Sequence, residues 1–339
     1  MTSTADFDYD LPEDRIAQVP AERRDAARLL VDRGPGQAPE HRRVADLPHY
    51  VGPGDVIVVN DTRVVPGRLK LHKATGGAVE VLLLERRGVD GEWEALVKPS
   101  RRVADGTALY RGGATEVSGV AVTVGADLGG GRRLVKVIEP GVIATGEVPL
   151  PPYIHAPLAD ARRYQSVYAR PRGESVAAPT AGLHLTSTVL DRCVQAGASV
   201  ERLELQIGLG TFRPIHTSRV EDHHMHSERY CISASAYDAC RAANRVVAVG
   251  TTVVRALETV AITGELSGRS ELFISRGFSF GVVDVLLTNF HVPRSSLLVL
   301  IDAFVGDRWR QLYATALRDG YRFLSFGDAM LVARRRDVG

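Results

Sequence analysis

The stretch RVVAVGTTVVRALETVAI, residues 245–262, decides how the chain is to be read. Arg245 to Val249 form a short apolar run, and Gly250, Thr251 and Thr252 make a turn. Val253, Leu257 and Val260 then recur at the spacing that gathers apolar residues toward one face of a helix. A strand that turns directly into a helix is the repeating unit of an α/β domain. Downstream, SLLVLIDAFVG reads as an apolar helix ending at Gly306, and DRWRQLYATALRDG as an amphipathic helix with Gly320 as its stop signal.

Upstream, the character of the chain changes. From about Leu69 to Ile143, short strand-like runs (AVEVLLLE, EWEALVK, GVAVTVG, RRLVKVIEP) are separated by turns such as Asp90-Gly91, with no convincing helix. The proline-rich GEVPLPPYIHAP that follows is a seam, because proline fixes φ and interrupts pairing. The expected fold class is mixed α/β, a large main domain (1–68 and 149–339) interrupted by a small all-β insertion (69–148).

Composition sets the limits on function. At roughly 100–200 residues per domain, a chain of 339 residues predicts about two domains. With 45% hydrophobic and 24% charged residues it needs no disordered or fibrous class. A net charge of +2 requires any nucleic-acid partner to be held by a local basic patch. Cys193, Cys231 and Cys240 are odd in number and widely spaced, which predicts a reduced, cytoplasmic setting. The amino terminus has no basic-then-apolar leader and no apolar run approaches membrane-spanning length, so no membrane association is expected.

Several dense polar blocks stand where strands or turns should end, the usual place for α/β sites: NDTR, AAPTAGLHLT, GLGTFRPI, TNFHVPRSS and FLSFGDAM among them. Neither G-x-G-x-x-G after a strand nor a G-x-x-x-x-G-K-[ST] phosphate loop is present. RPIHTSRVEDHHMHSERY carries His216, His223, His224 and His226, but without cysteines or an H-E-x-x-H arrangement, so no metal site is expected. His226 with Glu228 instead suits proton transfer near neutral pH, as an imidazole beside a carboxylate.

Taken in order, these blocks resemble the S-adenosylmethionine:tRNA ribosyltransferase-isomerases of queuosine biosynthesis. The resemblance runs from FDYDLPEDRIAQVPAERRDAARLL through NDTRVVPGRL, PLPPYI, YQSVYA, AAPTAGLHLT, GLGTFRPI, MHSERY and VAVGTT to LLTNFHVPRSSLL and YRFLSFGDAML, essentially the whole chain. It implies that the inserted domain is barrel-like. It also implies an enzyme that takes S-adenosylmethionine as ribosyl donor and 7-aminomethyl-7-deazaguanine at the tRNA wobble position as acceptor. Epoxyqueuosine would form, with release of adenine and methionine, and with no cofactor beyond the consumed S-adenosylmethionine.

Within the matching blocks, His226, His184, Glu228 and His291 are the expected acid/base residues, with His226 or His184 as the base. Asp61, Thr62, Arg63, Thr180, Thr211, Arg213, Thr251, Thr252 and Asn289 are expected to bind the donor, Arg63 and Arg213 gripping the methionyl carboxylate bidentately. Arg162, Arg163, Arg170 and Arg172, with Tyr164 and Tyr168, form the expected surface for a tRNA anticodon stem-loop, cations for phosphates and rings for stacking. Arg101 and Arg102 are weaker candidates of the same kind, and no obligate protein partner is evident.

The chain departs from the family pattern at Gln206, where the family usually has histidine, and at Leu185, Arg229, Ala26, Ala27 and Arg276. Two alternatives therefore stand beside the main reading, a paralogue using the same donor on a small-molecule amine and an inactive tRNA-binding relative.

Overall fold

The structure is a computed structural model, and it describes residues 2–88, 90–112, 119–171, 175–208, 214–225 and 227–335. These fall into two compact units: Met1–Thr62, Pro151–Arg170 and Ala178–Gly339 make the first, and Arg63–Leu150 with Pro171–Ala177 the second. The fold is mixed α/β, with a large sheet in the first unit and a closed barrel in the second.

The large sheet is built from β1 (Arg28–Asp32), β2 (Glu40–Arg43) and β3 (Asp55–Asn60), then from strands beyond the barrel. The barrel strands are β4 (Arg68–Lys73), β5 (Ala78–Arg86), β6 (Glu92–Lys98), β7 (Ala108–Tyr110), β8 (Val120–Gly129) and β9 (Arg132–Val137). The sheet resumes with β10 (Ser199–Leu205), β11 (Glu228–Ile232), β12 (Arg245–Val249), β13 (Ser267–Ser270), β14 (Val285–Asn289) and β15 (Ala329–Ala333).

Its order is β13-β11-β10-β3-β12-β14-β15-β1-β2. The four central strands β10, β3, β12 and β14 are mutually parallel, so their carboxyl ends open on the same side. Near-continuous apolar runs explain that position: every residue of β3 is buried, as strands covered on both faces require. β2, with the sequence EHRR, is charged and largely exposed, and it sits at an edge where such residues discourage further pairing.

Six helices are described: α1 (Gly141–Ala144), α2 (Ser187–Gln195), α3 (Ala234–Ala242), α4 (Thr251–Thr263), α5 (Ser296–Val305) and α6 (Arg308–Arg318). The strand does turn into a helix as expected, but the connection is Gly250 alone, because Thr251 and Thr252 already form the first turn of α4. The helix is more deeply placed than its one-face spacing suggested, because all ten residues from Thr251 to Val260 are buried. Two of them are charged and both are matched. The Glu258 carboxylate accepts the backbone N–H groups of Gly281, Val282 and Val283 at 2.7–3.1 Å, while Arg255 faces Glu228.

In the second unit β4-β5-β6-β9-β8-β7 close into an antiparallel barrel when His72 and Lys73 of β4 pair with Tyr110 and Leu109 of β7. Alternate residues of its strands, including Leu69, Leu71, Val79, Val81, Trp93, Val97, Leu109, Val122, Val124 and Val135, fill the interior. The unit also takes up a return segment, in which Ser175 pairs parallel with Val64. No change of composition marks it out.

Candidate active site

A cleft of about 550 Å³, its open mouth included, lies in the first unit at the carboxyl ends of β12 and β14, where open α/β sheets hold their ligands. Gly250, Thr251 and Thr252 enter it from the end of β12, Asn289 and His291 from the end of β14, and Thr180 from the short turn Thr180–His184. Five expected site residues, separated by up to 111 positions, are thus brought together: Thr180, Thr251, Thr252, Asn289 and His291.

Asn289 is the organising side chain. Its Nδ2 donates to the carbonyls of Leu324 (3.2 Å) and Asp328 (3.4 Å), which fixes which way the amide points. The same Nδ2 lies 2.8 Å from His184 Nε2, so Nε2 is the acceptor and the neutral ring carries its proton on Nδ1. Oδ1 of Asn289 accepts from the Thr180 hydroxyl at 3.0 Å. His184 does not line the cleft; it stands behind Asn289. Leu324, which helps to wall the cleft, holds a left-handed backbone at φ +67°, a conformation costing a branched residue about 1–2 kcal/mol.

His291 does line the cleft, with Nε2 3.1 Å from the Thr288 hydroxyl and its backbone N–H donating to Tyr313 at 2.9 Å. Burial pushes the His291 imidazole down to about 3, and burial, assisted by Arg322 and Arg24, pushes His184 down to about 4. Both rings are neutral at neutral pH. A histidine whose pKa is depressed on folding binds its proton more readily in the unfolded chain, so stability is complete above about pH 6.5 and falls as the pH drops toward 4. Thermal melts between pH 7 and pH 4 should show the midpoint falling across that window, and replacing His184 with Gln should flatten the fall.

Thr252 carries a signal of a different kind. Its hydroxyl is buried, has no hydrogen-bond partner among the described residues, and belongs to a residue lining the cleft at the first turn of α4. No side chain caps that turn, since the residue before it is Gly250 at φ +94°. Free N–H groups at a helix amino terminus favour an anionic or oxygen-rich ligand, and the unpaired hydroxyl adds one more donor. Replacing Thr252 with Val should leave the ligand-free protein as stable or about 1 kcal/mol more stable, since an unsatisfied buried group is removed. If the cleft takes the expected donor, T252V should bind S-adenosylmethionine about tenfold more weakly, which calorimetry and thermal melts would read together.

Other expected residues have different surroundings. Asp61 is buried in an ion pair with Arg170 (2.7 Å), which also reaches Glu204 (2.7 Å), so the two carboxylates share one guanidinium. Thr62 is buried with an unpartnered hydroxyl, and Arg63 is exposed at the start of the second unit. Glu228 is buried, accepts from the Gly208 N–H at 3.0 Å and is ion-paired to Arg255. His226, Thr211, Arg213 and Arg172 lie outside the described residues. His216 and His224 are exposed, and His223 packs edge-on against Phe273. Among the described residues no three His, Cys, Asp or Glu side chains gather as a metal site requires.

The expected RNA surface needs a correction. Tyr164 and Tyr168 are buried, Tyr164 edge-on to Phe326 and Tyr168 in the core with Leu185 and Val189, so neither ring can stack on a base. Arg163 spends its guanidinium on the carbonyls of Glu22 and Ala21, and Arg162 pairs with Asp160. A run of mixed Arg and Tyr looks alike whether its rings face solvent or core; only packing separates the two.

The cleft also includes residues the sequence did not single out. Tyr153 donates to or accepts from Ser325 at 2.7 Å, and both line the wall, each within a quoted block. Asn60 joins two of the parallel strands: its Nδ2 donates to the Leu205 carbonyl (2.9 Å) while its Oδ1 accepts from the N–H groups of Leu205 and Thr62 (both 3.1 Å).

A family profile described as "Queuosine biosynthesis protein" matches residues 4–332. The chain belongs to this family. Members named S-adenosylmethionine:tRNA ribosyltransferase-isomerase include one from Rubrobacter xylanophilus, 49% identical over 333 residues and covering 97% of both chains. Another, from Moorella thermoacetica, is 47% identical over 343 residues, covering 96% of this chain and 98% of the relative. The crystal structure of S-adenosylmethionine tRNA ribosyltransferase from Thermotoga maritima is 33% identical, covers 96% of this chain and 99% of its own, and superposes with a TM-score of 0.55. Family members thus share the whole length of the chain. No helix among the described residues is long and apolar enough to cross a membrane.

Proposed function

We propose that this protein transfers and isomerises the ribosyl group of S-adenosylmethionine onto the aminomethyl group of 7-aminomethyl-7-deazaguanine at the wobble position of tRNA. The product is epoxyqueuosine, and adenine and methionine leave. The observation that carries the reading is the end-to-end likeness to relatives of that name, together with a cleft in which their shared chemistry has somewhere to occur. A cytoplasmic location, where tRNA is found, goes with it.

The reaction needs a base and an acid in one pocket. A sulfonium acidifies the C5′ hydrogens beside it, so a positioned base can form an ylide, and adenine departs when a donor meets its purine nitrogens. His226 is the proposed base; His291 lines the cleft as a neutral ring, and burial makes it too weak a base to take the C5′ proton, so it serves to hydrogen-bond the donor. The Nε2 lone pair of His184 is taken by Asn289, which makes His184 a positioning residue. Thr251 and Thr252 at the start of α4 suit the methionyl carboxylate or the ribose hydroxyls, and Thr180 and Asn289 the adenine edge or ribose. Arg213 remains the proposed bidentate anchor, while Arg63 belongs to the second unit and is not among the residues lining the cleft. A largely buried cleft also favours the neutral form of the acceptor amine and keeps water from reactive intermediates.

The test is direct. Purified protein incubated with S-adenosylmethionine and tRNA bearing 7-aminomethyl-7-deazaguanine should yield epoxyqueuosine in digested nucleosides and one adenine per turnover, both read by mass spectrometry. Binding of the donor without any product from that tRNA would overturn the reading and direct attention to small-molecule amines, the acceptor class that Gln206 leaves open.

A further inference from the structure

The barrel unit carries a groove of about 1280 Å³, its open mouth included, between the end of β6 with residues 99–102 and the 129–131 turn joining β8 to β9. Lys98, Arg101 and Arg102 line one side. All three are exposed, and among the described residues none of their side chains is held by an ion pair or hydrogen bond. This sets them apart from Arg68, Lys70, Arg87, Arg111, Arg132 and Arg133 on the same barrel, each paired with a glutamate or aspartate. A fourth cation braces the loop from behind, where the Lys73 amine donates to the Arg102 carbonyl.

The opposite side is formed by Gly129, Gly130 and Gly131, all with positive φ, where an added Cβ would meet nothing nearer than 3.9 Å. The three glycines themselves present only backbone to the groove. The acidic group lining the groove, Asp127, turns its carboxylate onto the Gly129 N–H at 2.8 Å, so one of its oxygens is engaged within its own turn. The Ser100 hydroxyl, which also lines the groove, is buried without a hydrogen-bond partner among the described residues.

We propose that this groove binds the sugar-phosphate backbone of the tRNA substrate. Unpaired cations in a row face an open stretch of glycine backbone, and that combination suits a polyanion with a smooth backbone. An acidic peptide would instead be expected to meet apolar pockets for its side chains. The inference rests on tRNA being the substrate, and it moves the basic surface from the Arg162–Tyr168 region, where the rings are buried, to the barrel.

Binding of an unmodified tRNA transcript to the full-length protein, measured by fluorescence anisotropy from low to high salt, tests it. The triple variant K98Q/R101Q/R102Q should bind at least tenfold more weakly, with a salt slope shallower by about 2 to 3. Its melting temperature and its stabilisation by S-adenosylmethionine should match the wild type. The single variant R101Q should lose more affinity than K136Q, which removes an equal charge from exposed Lys136 on β9. Equal losses for R101Q and K136Q, or an unchanged slope in the triple variant, would overturn the groove while leaving the proposed function intact. A wild-type protein that does not bind tRNA would overturn both.

Discussion

Replacing Arg255 with Leu should destabilise the protein by about 3–5 kcal/mol. Arg255 is 2% exposed and Glu228 4%, so the ion pair between them has almost no access to water. The guanidinium also donates to the carbonyls of Leu272 (3.1 Å) and Ser270 (3.3 Å), and Glu228 also accepts from the Gly208 N–H. Leucine would leave a carboxylate without its cation in a setting that cannot solvate it, and two carbonyls would lose a donor. Thermal and denaturant unfolding would measure the loss. The double variant E228Q/R255L should recover part of it, because a neutral amide tolerates burial better than an orphaned charge. A loss below about 1 kcal/mol in R255L would mean that the pair is solvated.

Replacing Asn289 with Leu should lower kcat/KM for S-adenosylmethionine by about 10–10², the cost of losing the side chain that holds Thr180, His184 and the Leu324–Asp328 turn in register at the cleft. The side chain is similar in size, so the change isolates its polar contacts: four partners are lost at once, His184, Thr180, Leu324 and Asp328. H184Q sharpens the assignment. A glutamine oxygen in the place of Nε2 could still accept from the Asn289 amide, so a residue that acts only by orienting Asn289 should retain activity within about tenfold, with an unchanged pH profile. Loss of the acidic limb of the pH profile in H184Q, with kcat down by about 10³ and KM unchanged, would instead return His184 to the role of base.

Much of this site was legible because its chemistry clusters at chain turns. Gly250-Thr251-Thr252 stand between an apolar run and a helical repeat, and Asn289 and His291 directly follow another apolar run. In an α/β protein both positions fall at the carboxyl ends of strands. That β12 and β14 are neighbours, and that Thr180 arrives from a separate turn to meet them, depends on pairing between distant segments, to which local spacing is blind. The order of the blocks supplied that information only through resemblance to other chains.

By itself the sequence determined the local elements: continuous hydrophobic runs for central strands, glycines at helix ends, alternation in the barrel. These follow from interactions between residues close along the chain. Tertiary structure alone decided which polar groups face a ligand and which face each other. Asp61 and Glu204 share Arg170, Glu228 answers Arg255, Tyr164 and Tyr168 turn into the core, and the Thr252 hydroxyl is left at the cleft without a partner among the described residues. The physical reason is that a charge or hydroxyl is the same letter whether paired or free, and its availability is set by whatever the fold brings within about 3 Å of it.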